Sequence, residues 1–205
     1  MLKENLLLDS ARPFSDIDHN TVGCPEHSSE GVPLSWYVLR VSYSRELKVQ
    51  QRLDEEGVRS FVPMVWRKKE VAGKTTRILV PAVSNLCFAY STRERLLSFF
   101  TSYGDASPVH FYWDRTSNSP LVVPEKAMED FITVASSLDE DLIYLTEINS
   151  RLREGQKVIV KDGPFKGVEG KVVRIRKSRR VLVELPGMLA VATTYISPNS
   201  LEIAE

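Results

Sequence analysis

The chain has 205 residues, 42% of them hydrophobic, so it can bury the core of one large domain or two small ones. Its 27 basic and 27 acidic residues cancel, so net charge alone neither indicates nor excludes nucleic-acid binding. The distribution is uneven, because residues 151–205 carry 11 Lys and Arg against 6 Asp and Glu. The C-terminal part is therefore a basic unit on an acidic remainder.

Cysteine usage and hydropathy argue against a disulfide-rich secreted protein and against a membrane-spanning one. Two cysteines, Cys24 and Cys87, cannot build a disulfide framework and are typical of a reducing compartment. Near the start, only Leu6–Leu8 are apolar before Asp9, which is too short for the core of a signal peptide. No run approaches the roughly 18 apolar residues of a membrane span. We expect a cytoplasmic protein with no membrane contact.

Residues 1–34 show no apolar period, which predicts a flexible N-terminal extension. His19, Cys24 and His27 lie within it and could offer three ligands to zinc. A structural zinc site needs four ligands in a closed shell, and no partner motif follows. We expect no metal here.

From Trp36 the pattern predicts alternating strands and helices. The segment WYVLRVSYS favours a first strand, and Ser44 is a candidate N-cap for a helix that ends at Gly57. The stretch VRSFVPMVW indicates a second strand. The following stretch RKKEVAGKTTRIL predicts a projecting hairpin with Ala72 and Gly73 at its tip.

The next strand, VSNLCFAY, places Leu86 and Phe88 on one face and Cys87 on the other. Ser91 to Glu94 has the form of a capping box and opens a second helix. A strand-like VHFYW follows, and Pro124 opens a third helix. Its apolar stripe consists of Met128, Phe131, Ile132 and Ala135. This order predicts an α+β domain whose mainly antiparallel sheet is flanked by helices, over residues 35–137.

Residues 138–152 are mixed and acidic at first, and we interpret them as a linker. Beyond them, alternating valines and the turn signals Asp162-Gly163-Pro164 and Pro186-Gly187 predict a small all-β barrel of five strands over residues 153–205.

The segment from Lys157 to Val173 resembles a KOW motif. Gly163 and Gly167 permit tight turns, Phe165 can plug the barrel end, and Gly170 lets strands approach closely. KOW barrels occur in ribosomal proteins as well as in elongation factors, so the first domain must decide between them.

That domain is similar to the NusG N-terminal (NGN) domain, because Trp36-Tyr37-Val38 opens it and Val62-Pro63 ends its second strand. Asn85 to Phe88 occupies the place of the family's F-P-G-Y-V-x-V strand. The whole chain resembles the UpxY group of NusG paralogues, through its N-terminal extension, its Pro-Ala-Val-Ser-Asn-Leu strand and its Ile196-Ser197-Pro198 ending.

The resemblance implies contacts rather than catalysis. An apolar patch around Val83, Leu86 and Phe88 is expected to receive the clamp helices of the largest RNA polymerase subunit. The alternative is that each of these residues packs in the domain's own core. No cofactor is implied, and His110 is the only histidine outside the extension, with no nucleophile elbow or phosphate loop. We expect a monomer that is not an enzyme.

Basic residues suggest two further contacts. Arg45, Lys48 and Arg52 lie at i, i+3, i+7 on one side of the first helix, where they could contact the phosphates of a nucleic acid. Lys74 and Arg77 flank the hairpin tip, in a region that NusG-type proteins present to the non-template DNA strand. The alternative is a solvated charged face. Near the tip of a barrel hairpin, Arg176, Lys177, Arg179 and Arg180 are a possible partner contact. In relatives this barrel recruits ribosomal protein or the termination factor Rho.

The resulting hypothesis is a transcription elongation and antitermination factor that suppresses pausing and termination in a surface, capsular polysaccharide operon. A general housekeeping NusG is the alternative within the class. A ribosome-associated KOW protein is the alternative outside it, but it leaves the domain from Trp36 to Ser137 unexplained.

Overall fold

A five-stranded antiparallel sheet forms the framework of the first half of the computed structural model. The structure describes residues 33–71, 74–114, 116–146, 155–175, 177–186 and 188–204. In chain order the first strands are β1 (Ser35–Val41), β2 (Arg59–Phe61), β3 (Met64–Val71), β4 (Lys74–Pro81), β5 (Leu86–Ser91), β6 (Val109–Phe111), β7 (Trp113–Asp114), β8 (Ser119–Pro120) and β9 (Val122–Val123). The sheet runs β2-β5-β1-β6, and β9 also pairs with β1.

Three helices cover the two faces of this sheet: α1 (Glu46–Glu55), α2 (Arg93–Thr101) and α3 (Glu125–Ala135). Leu53 of α1 and Phe99 of α2 pack with Cys87 in one core cluster. Phe131 of α3 packs with Phe88 in another. Because consecutive residues of β5 enter different clusters, the alternation predicted for this strand is confirmed.

Helix starts differ from the sequence prediction by one residue. Helix α1 has Arg45 at the N-cap without a side-chain cap, and Ser44 precedes it in the left-handed region at φ 52°. In α2 the cap is Thr92, whose hydroxyl accepts from the Arg95 amide at 3.2 Å. Ser91 instead ends β5 and is buried. The caps assigned to Ser44 and Ser91 were therefore wrong, because the preceding backbone fixes which residue reaches the first turn.

Strands β3 and β4 form the predicted hairpin. They pair with each other from Met64↔Pro81 to Val71↔Lys74, as a separate two-stranded sheet. Ala72 and Gly73, the predicted tip, lie outside the described residues. A second small hairpin pairs β7 with β8.

The second half is an antiparallel sheet of six strands. They are β10 (Ile143–Leu145), β11 (Lys157–Val160), β12 (Glu169–Ile175), β13 (Ser178–Leu185), β14 (Leu189–Ala192) and β15 (Leu201–Ile203). Their order is β10-β14-β13-β12-β11-β15. The five strands predicted after residue 153 are present, and β10 joins them from the segment predicted as a linker. The α+β fold followed by a β-barrel domain is confirmed.

Turn positions and a close backbone contact account for three glycines of the barrel. Gly163 and Gly167 have φ of 78° and 86°, which L side chains rarely adopt. At Gly170 a Cβ would lie 2.6 Å from the Leu182 carbonyl oxygen, so a side chain would push β12 away from β13. Phe165 is buried, as predicted.

Candidate functional site

The three residues of the predicted apolar patch differ in exposure. Leu86 and Phe88 are 3% and 0% exposed, whereas Val83 is half-buried. The Phe88 ring centroid lies 5.9 Å from that of Phe131 in α3. In this structure, therefore, Leu86 and Phe88 belong to the core, and Val83 is the member that offers surface to a partner.

Phe131 is the centre of an aromatic cluster below this patch. Its ring centroid lies 6.2 Å from Phe61 and 6.4 Å from Tyr144, both in edge-on geometry. Tyr144 belongs to β10, and its hydroxyl donates to the Met64 carbonyl at 3.5 Å. Burial raises the pKa of Tyr144 to about 12. The phenol thus stays neutral, and it connects the barrel sheet to α3 and to the base of the hairpin.

Helix α3 also packs against the barrel. One continuous core cluster contains Met128 and Phe131 of α3 together with Val183, Leu185 and Val191 of the barrel. The helix therefore buries apolar surface against both the first sheet and the second.

A polar contact lies beside this shared core. The Asp130 carboxylate is buried, and it accepts from Lys126 Nζ at 2.6 Å and from the Glu169 amide at 3.3 Å. Lys126 Nζ also donates to the Gly167 carbonyl at 3.1 Å. Because a buried carboxylate needs partners, these bonds fix the turn before β12 against the helix.

The basic barrel hairpin differs from the expectation at Arg180. This side chain is only 8% exposed and donates to the carbonyls of Asp141 at 2.6 Å and Thr193 at 2.7 Å. It was expected near an exposed tip, but strand alternation turns it away from the face that carries Arg179. Lys177 is exposed in the turn, Arg179 is half-buried, and Arg176 lies outside the described residues.

The cations of α1 also divide into two kinds. The Arg52 guanidinium lies 4.1 Å from the Tyr103 ring centroid and donates to the Ser102 hydroxyl at 2.8 Å. Arg45 lies over the exposed Tyr43 ring at 5.6 Å, and Lys48 is exposed. Arg45 and Lys48 thus remain accessible, whereas Arg52 is engaged within the domain.

On the hairpin, Lys74 is exposed and Arg77 is engaged. The Arg77 guanidinium lies 5.2 Å from the Trp66 ring centroid and forms an ion pair with Glu140. This pair joins the hairpin to the segment that follows α3. The hairpin therefore contacts that segment near its middle, while Lys74 lies near its far end.

Reactive groups offer little chemistry in the described residues. Burial raises the pKa of the Cys87 thiol far above its ordinary value, which keeps it protonated and unreactive. Within the described ranges, no three His, Cys, Asp or Glu side chains converge as a metal site. The candidate ligands His19, Cys24 and His27 lie outside those ranges. None of the described helices is both long and apolar enough to cross a membrane.

Sequence reasoning missed Asp130 and Tyr144, which join the two halves. The sequence contains a weak signal for Asp130, because it is a charged residue two positions after Met128 on a helix with an apolar stripe. Lys126 lies four residues before it, the spacing of an ion pair on a helix. Tyr144 gave no such signal, because a three-residue strand in an acidic segment has too little pattern to detect.

Comparison with known proteins gives two family matches. Residues 34–132 match the family described as "Transcription termination factor nusG", and residues 154–184 match the KOW motif. No curated protein matches the chain significantly. A solved structure titled "Domain interaction in Thermotoga maritima NusG" is similar at 16% identity and a TM-score of 0.44. The similarity covers 84% of this chain and 98% of that one. The chain therefore carries a NusG-type match followed by a KOW match.

We expect Asp130→Ala to loosen the contact between α3 and the barrel, because it leaves the Glu169 amide without its acceptor, at a cost of about 1–3 kcal/mol. Hydrogen exchange followed by mass spectrometry should show faster exchange in the segment from Gly167 to Glu169, with α1 unchanged.

The matched control is Glu129→Ala, which removes an exposed carboxylate from the same helix. Equal exchange at Glu169 in both variants would show that the Asp130 contact does not hold the barrel.

Proposed function

We propose that this chain, which carries a NusG-type domain followed by a KOW motif, is a transcription elongation and antitermination factor. It binds RNA polymerase through the first domain and suppresses pausing and termination. The observation that carries the proposal is the pair of family matches at residues 34–132 and 154–184. A ligand that prefers the elongating state of the polymerase shifts the equilibrium away from paused states, so no catalytic residue is needed.

The proposed polymerase contact is the apolar patch at Val83, Leu86 and Phe88, which receives the clamp helices of the largest subunit. Val83 supports this role because it is only half-buried and keeps part of its surface accessible. Leu86 and Phe88 lie in a core cluster that includes barrel residues. Because Phe88 packs on Phe131 of α3 within the first domain, Val83 is the residue of the patch that a partner can contact without opening this core.

We expect Val83→Glu to weaken polymerase binding about ten-fold, or about 1.4 kcal/mol, because a carboxylate would enter an apolar contact. Binding of the full chain to core polymerase is measured by biolayer interferometry.

The matched control is Leu97→Glu, which places the same charge at an exposed leucine of α2 on the other side of the sheet. If the affinity falls equally in both variants, or falls in neither, the polymerase contact lies elsewhere.

A second proposed contact is with non-template DNA. Arg45, Lys48 and Lys74 support it, because all three are exposed cations of the first domain. Arg52 and Arg77 contribute to the same field, but their guanidinium groups are engaged with Tyr103 and Glu140. Such contacts bind phosphates without reading sequence.

We expect the triple change Arg45→Gln, Lys48→Gln and Lys74→Gln to flatten the plot of log affinity against log salt by about 2, at roughly 0.7 for each lost phosphate contact on a single strand. The measurement is a salt titration of binding to an assembled elongation complex.

The control removes three exposed lysines of the barrel instead, Lys157, Lys161 and Lys166. If the first triple variant leaves the slope unchanged, those three cations do not contact the DNA.

We further propose a specialised role in the cytoplasm, at one long operon for surface polysaccharide, with the barrel recruiting a ribosomal protein or another factor. The resemblance to UpxY paralogues supports this finer assignment. Lys177 and Arg179 are the described residues of the basic hairpin with surface for such a factor. A general NusG remains the second candidate, because the family match to residues 34–132 supports it equally.

We expect deletion of the gene to reduce transcript coverage in the distal part of one or a few operons, because a dedicated factor acts only where it is recruited. RNA sequencing along the genome measures this. A uniform change over most genes, or loss of viability, would identify the general factor, while binding to polymerase would be retained in either case.

A further inference from the structure

Glu46 is a charged side chain that the first domain buries. It is 3% exposed at the start of α1, and its Oε1 atom accepts from the backbone amide of Asn85 at 2.6 Å. Hydrogen bonds to an ionised acceptor are shorter than neutral ones and about twice as strong. Negative charge is also favourable at the start of a helix, where the first amides lack intrahelical partners. The carboxylate therefore holds a backbone position 39 residues away in the sequence.

Asn85 is the last residue of a short turn, residues 82–85, which connects β4 to β5. Its backbone is left-handed at φ 63°, and its amide is the donor to Glu46. At the other end of the turn, the Ala82 amide donates to the Pro63 carbonyl at 2.7 Å. Val83, the half-buried member of the proposed polymerase patch, lies between these two anchors.

Two left-handed residues lead from the end of β1 to Glu46. The strand ends at Val41, whose amide donates to the Asn85 carbonyl at 3.0 Å. Tyr43 and Ser44 then have φ of 62° and 52°. Such conformations cost energy in residues other than glycine, and they persist where the surrounding structure holds them. The end of β1 and the start of α1 therefore hold Asn85 through its carbonyl and its amide.

We propose that Glu46 is a positioning residue for the polymerase contact, because it holds the turn that presents Val83. This inference rests on the function proposed above and adds a residue that is itself too buried to touch a partner. Val83 packs against a core cluster on one side, so the position of Asn85 determines which part of it faces outward. Glu46 lies between the exposed Arg45 and Lys48 in the sequence. The same hydrogen bond thus joins the proposed DNA contact of α1 to the proposed polymerase contact.

Loss of the carboxylate should loosen this turn without unfolding the domain. Asn85 is exposed, so water can replace the acceptor at its amide. The core cluster that contains Val49 and Leu53 of α1 keeps its apolar contacts. Glu46→Ala should therefore weaken binding of the full chain to core polymerase about five-fold, the loss expected for one charge-assisted hydrogen bond. Glu46→Gln keeps an acceptor oxygen and should remain within about two-fold of the unchanged chain.

A double-mutant cycle with Val83→Ala separates this role from a general effect on α1. If Glu46 acts through Val83, Glu46→Ala should cost less than about two-fold once Val83 is already alanine. Biolayer interferometry with core polymerase measures the four affinities of the cycle. If the two losses are fully additive in free energy, Glu46 acts elsewhere and the proposal is overturned.

Hydrogen exchange followed by mass spectrometry tests the turn in the absence of polymerase. Peptides that cover residues 82–86 should exchange faster in Glu46→Ala than in Glu55→Ala, which removes an exposed carboxylate from the last turn of the same helix. Equal exchange in these two variants would overturn the proposal, as would a Glu46→Gln chain that binds as weakly as Glu46→Ala. Thermal melting checks folding. If Glu46→Ala unfolds, Glu46→Asp replaces it, because aspartate keeps the charge but is too short to reach Asn85.

The inference and the proposed function fail separately. If Val83→Glu weakens polymerase binding and Glu46→Ala does not, only the role of Glu46 is wrong. If Val83→Glu has no effect, the polymerase contact itself lies elsewhere, and Glu46 does not position it.

Discussion

The double burial of α3 is the constraint on which the rest of the structure depends. A single helix supplies Phe131 to the aromatic cluster below β5 and contributes to the core cluster shared with the barrel. Because both halves bury apolar surface on the same eleven-residue element, neither core is complete without it. The core below β5 and the barrel therefore meet on one helix.

The cations of the chain divide according to whether the fold already uses them. Arg52, Arg77 and Arg180 have their guanidinium groups over an aromatic ring, in an ion pair or bonded to carbonyls. Lys48 and Arg174 are exposed. A count of positive charge along the sequence cannot make this distinction, since it depends on which residues approach from distant parts of the chain. Binding surfaces inferred from charge alone are accordingly too large.

Local patterns predicted much of the fold. The two faces of β5, the hairpin of β3 and β4 and the turns at Gly163 and Gly167 follow from alternation and backbone freedom, which neighbouring residues determine. The helix caps were misplaced, because the left-handed backbone at Ser44 and the end of β5 at Ser91 depend on the preceding strand. The burial of Phe88 and Arg180 depends on distant segments, and the predicted site changed most at those positions.

Strand β10 protects one edge of the barrel sheet from pairing with other chains. It covers the edge of β14 with a segment of the same chain, in register from Ile143↔Ala192 to Leu145↔Ala190. An uncovered strand edge is a template for aggregation. A tethered strand competes with strands of other molecules at an effective concentration of about millimolar. Residues 143–145 thus cover this edge of β14, and removing them would expose it.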